Sequence, residues 1–158
     1  MQDATFEDGA ERPLNIYAES NEDVVVMSAL LQDSVLETGD ISWMPRRRRL
    51  ALLCNRFRWE EKDRAETAGR PFERVRSLLI IEDVQAVSSN GIDPKEKDTV
   101  LSILQATFEP GEDGTGKLVL TFAGDGQIVA DVECLGVILK DVTRPYKAIS
   151  GSLPSHDI

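Results

Sequence analysis

Polar and apolar positions alternate with a period of two over most of this chain, and the spacing lengthens to three and four only near its two ends. Behind Pro13, Leu14, Ile16 and Ala18 alternate with Asn15 and Tyr17, which predicts a first strand over Leu14–Ala18. Val24, Met27, Leu31 and Val35 then recur at helical spacing, predicting a helix over Asn21–Val35 with one buried face. Ser20 followed by Asp23 gives it a capping-box-like start, and Glu22 and Asp23 suit the positive end of the helix dipole.

The stretch ISWMPRRRRLALLCNRFRW, residues 41–59, predicts two strands joined at a proline turn, with four consecutive arginines at the hinge. Ile41 and Trp43 alternate with Ser42 and Met44 before Pro45. Beyond the hinge, Ala51, Leu53, Asn55, Phe57 and Trp59 share one face, and Leu50, Leu52, Cys54, Arg56 and Arg58 the other. Apolar in its middle on both faces and at its far end on only one, it reads as a central strand whose end emerges from cover.

The charged residues 60–71 predict a loop. Strand patterns follow at Phe72–Ile81, Val84–Ser88 and Thr99–Phe108, with a turn or bulge at Glu82-Asp83. GEDGTG, residues 111–116, reads as a flexible loop. Lys117–Ala123 and Gln127–Glu133 flank Gly124-Asp125-Gly126 as the clearest hairpin of the chain. Leu135, Ile138, Leu139 and Val142 fit a helical face and predict a closing helix over Cys134–Val142.

These elements add up to an α+β fold. It is a bent antiparallel sheet or two-sheet roll of about seven to eight strands, with a helix after the first strand and a C-terminal helix closing it. In element order this has a pleckstrin-homology-like outline, preceded here by an extra β-α unit. The organisation expected is a disordered leader at 1–12, a single domain at 13–142 and a tail at 143–158.

Composition narrows the function classes. The chain has 158 residues, enough for one domain with a real core. It carries a net charge of −10, unevenly spread. Residues 46–76 hold eleven Lys and Arg against five Asp and Glu, a local +6, so the remainder, with seven against twenty-three, stands at −16. The N-terminus lacks a signal-peptide pattern and no apolar run reaches membrane-spanning length, so a cytoplasmic protein without membrane contact is expected. Cys54 and Cys134 both lie in apolar surroundings and read as buried free thiols. With these two cysteines and one histidine, His156, near the end, neither a zinc site nor any other cofactor is expected. Carboxylate pairs such as Glu60-Glu61, Glu82-Asp83 and Glu112-Asp113 are adjacent in sequence and on strands point to opposite faces. No catalytic residue is therefore nominated.

The candidate contact surface is Arg46, Arg47, Arg48 and Arg49 with Arg56, Arg58 and Trp59. Guanidinium groups on a hairpin tip suit bidentate capture of carboxylate or phosphate. The partner implied is an acidic protein surface or an anionic ligand. Nucleic acid, with Trp43 or Trp59 as a stacking platform, is the alternative, against which the acidic remainder argues. An enzyme using a carboxylate and an arginine in a cleft is the third reading. The bland reading is a solvated, aggregation-resistant strand edge.

Four segments carry a resemblance: SALLQDSV (28–35), WMPRRRRLALLCNRFRWE (43–60), VSSNGID (87–93) and LTFAGDGQIVADVECLGVILKDV (120–142). Together they resemble a small bacterial family known as a domain of unknown function, number 2948, over Leu14 to Val142. NRFRWE (55–60) is its most distinctive part, and the acidic leader lies outside it. The family has no assigned activity, cofactor or catalytic residue, so the resemblance implies no site.

Overall fold

A computed structural model describes residues 13–69 and 73–147; the expected leader, 1–12, lies outside the described residues. Strand β1 (Asn15–Ala18) leads into helix α1 (Asn21–Leu31). Ser20 caps the helix by accepting from the Asp23 N–H, and the Asp23 carboxylate accepts from the Glu19 N–H, one residue before the position a capping box would use. These bonds hold the Asp23 pKa below the ordinary carboxylate value. Val24, Met27 and Leu31 face the core as the spacing predicts. The helix stops short of Val35 because Gln32 leaves the helical region (ψ 132°) and Asp33 then turns left-handed (φ 65°). Val35 instead opens strand β2 (Val35–Glu37), opposite Asn55 and Ser102.

The arginine hinge is a hairpin of β3 (Ile41–Met44) and β4 (Arg49–Phe57), in register from Ile41↔Leu52 to Met44↔Arg49. Pro45–Arg47 form one 3₁₀ turn between them. The charged loop contains a second short helix, α2 (Lys62–Ala68), which ends at Gly69 (φ 65°). Strands β5 (Glu73–Ile81), β6 (Val84–Asn90), β7 (Val100–Pro110), β8 (Gly116–Phe122) and β9 (Gln127–Val132) follow. GEDGTG is not a flexible linker but a turn closed by hydrogen bonds from Gly111 N–H to Thr115 O and from Thr115 Oγ1 to Glu112 O.

The predicted C-terminal helix is a strand, β10 (Val137–Asp141), paired with both β1 and β5. Its apolar residues fit both periods, as short apolar runs do, and two waiting strand edges decide the outcome. Val137 and Leu139 point to the core and Ile138 and Lys140 away from it. The pleckstrin-homology-like outline thus loses the element that closed it. A further strand, β11 (Tyr146–Lys147), lies in the expected tail and pairs with Arg74 and Glu73; the rest of the tail, 148–158, lies outside the described residues.

The strands form one open antiparallel sheet in the order β1-β10-β5-β4-β2-β7-β8-β9-β6, with β3 added to β4 and β11 to β5. Among the described residues that makes eleven strands, more than the alternation predicts, with two short helices beside them. The sheet is strongly bent. Leu50, Leu52, Leu79, Ile81 and Leu139 from one half share a single core with Leu118, Leu120, Phe122, Ile128 and Val132 from the other. The bend falls where β5 runs into β6 and β9 into β10. There Glu133 N–H donates to Asp83 O and Glu82 N–H to Gly136 O, each at 2.9 Å.

Candidate functional site

The nominated arginines divide into four groups. Arg46 and Arg47 sit on the 3₁₀ turn, exposed, with no ion pair among the described residues. Arg48 occupies the left-handed position that closes the turn (φ 54°) and pairs with Glu133 at the bend of the sheet. Its carbonyl accepts from the Val84 N–H, tying the hairpin to β6. Arg49 is half-buried on the outer face of β4, and its Nε finds no hydrogen-bond partner among the described residues.

Arg56 and Arg58 belong to the interior, so the far end of β4 does not emerge from cover. Arg56 is fully buried, on the face that also carries Leu50, Leu52 and Cys54. Its Nη1 and Nη2 donate to the two carboxylate oxygens of Glu60, each at 2.8 Å, and Nη2 also to Asp141 Oδ1 at 3.0 Å. Its Nε donates to Ser77 Oγ, which in turn donates to Asp141. Asp141 further accepts from the Leu14 N–H at 2.8 Å. Burial pushes the Arg56 pKa down, but the bonds and charges of Glu60 and Asp141 outweigh it and hold the value above the ordinary one. Breaking such a buried pair from one side typically costs about 3–5 kcal/mol, because the other charge is left uncompensated. The cluster thus pins β4, β5 and β10 to the entry of β1. Arg58, 3% exposed, donates to Glu73 at 2.7 Å and approaches Glu61.

The aromatics are equally committed. Trp59 donates its indole N–H to Gln32 O at 2.8 Å and meets Phe57 edge-on, centroids 4.6 Å apart. Trp43 packs against the core. Of the two thiols, Cys54 is buried as expected, whereas Cys134 is exposed and donates to Asp83 at 3.1 Å. That hydrogen bond, with some loss of solvation and the charges of Asp83 and Glu133, raises the Cys134 pKa.

A cleft of about 540 Å³ lies above the Arg56 cluster, lined among others by Glu73, Asp141, Thr143 and Arg144. The two carboxylates facing it are the ones held by Arg58 and Arg56. The sequence reading missed this cluster because its members come from distant segments. Asp141 stands 85 residues from Arg56, in a segment read as helix. The signal that was present is parity, which places Arg56 on the same strand face as Leu52 and Cys54.

The sequence profile of a family described as protein of unknown function, DUF2948, matches residues 14–156. The chain is a DUF2948 protein. The match begins where the resemblance does and runs past Val142, through β11. No curated protein and no solved structure matches the chain. Among the described residues of this DUF2948 chain, no helix is long and apolar enough to cross a membrane.

Proposed function

We propose that this DUF2948 chain is a cytoplasmic, non-enzymatic binding or adaptor domain that engages an acidic protein surface or anionic ligand through the tip of the β3–β4 hairpin. Arg46 and Arg47 make the contact, with Arg49 behind them. One observation carries the reading: Arg56 and Arg58 are spent on ion pairs inside the fold, while Arg46 and Arg47 stand exposed without an ion pair among the described residues. A guanidinium that stabilises nothing internally is free for a partner. The enzyme reading loses ground because the carboxylates of the cleft are already held by buried arginines. The nucleic-acid reading loses its stacking platform, since Trp59 and Trp43 are committed within the fold.

The test is affinity capture from native lysate at low and high salt, with and without nuclease, using the wild type and an Arg46→Ser/Arg47→Ser variant. The variant is expected to keep its stability within about 0.5 kcal/mol, as exposed substitutions do, and to lose the captured protein. Capture unaffected by the substitutions would refute the hinge as the contact. Capture abolished by nuclease would put nucleic acid in its place.

A further inference from the structure

We infer that the outer face of β1, β10, β5 and β4 is a docking surface for an acidic, amphipathic segment of another protein. This deepens the adaptor reading and rests on it. Register places Tyr17, Ile138, Ile80 and Ala51 in one row across these four strands, and Leu78 beside Leu53 in the next. All six point away from the core, and none packs against it. Tyr17 is 53% exposed, and beyond β4 the apolar strip continues over Val35 and Val100, 36% and 63% exposed. A half-buried apolar row over four strands is more than scattered surface hydrophobicity and marks a face built to be covered.

Charge identifies the occupant. Arg49, Arg74, Arg76 and Lys140 share the face, and the hinge arginines continue it at one end. Among the described residues none of these four is ion-paired. The acids nearby stand at two corners, Glu82, Glu19 and Asp83 by Tyr17, and Glu37 with Asp40 beside β2. An apolar strip bracketed by cations, on a chain of net charge −10, selects a partner that is apolar and acidic. A second copy fits poorly, because it would set the same cations against themselves.

The face also has an anchor point. Strand β3 covers Arg49–Leu52 and β2 reaches β4 only at Asn55, so Leu53 and Cys54 have no strand neighbour on that side. A recess of about 310 Å³ opens there, lined by Val35, Leu53, Asn55, Arg76 and Val100 among others. Asn55, which lines the recess, carries a buried Oδ1 with no hydrogen-bond partner among the described residues.

The experiment is selection of a displayed library of random peptides on the full chain, followed by backbone amide shift mapping of a selected peptide. Enriched sequences are expected to be amphipathic and acidic, with shifts over Leu53, Leu78, Ile80 and Ile138. Arg76→Glu, an exposed side chain expected to leave folding intact, and Leu78→Ser should each weaken binding by about tenfold or more. Basic or uncharged winners, or shifts on another face, overturn the inference. So does a dimer in sedimentation that Arg76→Glu dissociates. Binding lost in Arg46→Ser/Arg47→Ser but kept in both sheet variants leaves the hinge reading standing and removes this one. The reverse pattern keeps this face and removes the hinge. No enrichment at all overturns this inference and leaves the hinge reading to the lysate capture.

Discussion

Cys54 shows how far a single side chain in this fold is governed by its surroundings. It lies on the inner face of β4 between Leu52 and Arg56, and burial, reinforced by the charge of Asp40 and opposed by Arg56, pushes its pKa from 9.0 up to about 12. Below pH 9 the thiol is protonated in both folded and unfolded chains and contributes no pH dependence. Between these two values the unfolded chain ionises and the folded one does not, so stability is lost as pH rises, by about 1.4 kcal/mol per unit for this one group. Urea melts across alkaline pH should therefore fall more steeply for the wild type than for Cys54→Ala, whatever the baseline cost of the cavity. Parallel slopes would show that the thiol is not held neutral. The same inward parity was legible for Arg56, but its consequence was not. A guanidinium at the end of an arginine-rich strand reads as exposed, and only folding brings Glu60, Ser77 and Asp141 around it. The partner of Trp59 was hidden for a related reason, since it is a backbone carbonyl at a helix end.

At the scale of elements, segments with a strict two-residue period were the readable ones. The β3–β4 hairpin, β5 and the β8–β9 hairpin stand where alternation places them. Segments whose fate depends on a neighbour were not readable: β10 needed the edges of β1 and β5, and β2 needed the left-handed Asp33 to end the helix early. The 111–116 turn is another such case, and glycine there is a packing requirement. A Cβ on Gly116 would lie 2.5 Å from the Phe108 ring and 2.6 Å from the Glu109 carbonyl, and the backbone oxygen has no rotamer through which to retreat. Gly124, in the next hairpin, has φ +82° but nothing within 4 Å of its Cβ position. Gly116→Ala is thus expected to lose about 1–3 kcal/mol by overpacking. Gly124→Ala should lose about 1–2 kcal/mol by backbone strain alone. Only the first should shift the amide resonances of Phe108 and Glu109. Unchanged shifts there would mean that the β7–β8 turn opens without resistance.

For the whole molecule, the bend of the sheet decides how the chain holds together. Two β-rich halves joined by loops would form separate cores, yet here their inner faces share one. Strand β7 pairs with β2 on one side and β8 on the other, and β5–β6 and β9–β10 both cross the bend. Arg48 bonded to Glu133 and to Val84 laces the hinge across the same line. No half can leave without exposing the other's apolar face, so unfolding should be a single cooperative transition. The two tryptophans make this measurable, because Trp43 and Trp59 both lie in the segment from β3 to the turn after β4 and report on one half only. Far-ultraviolet circular dichroism reports on both halves. The urea midpoints of fluorescence and dichroism are expected to coincide. A fluorescence midpoint clearly displaced from that of dichroism would mean that the hinge half, with its candidate contact face, unfolds apart from the β7–β9 half.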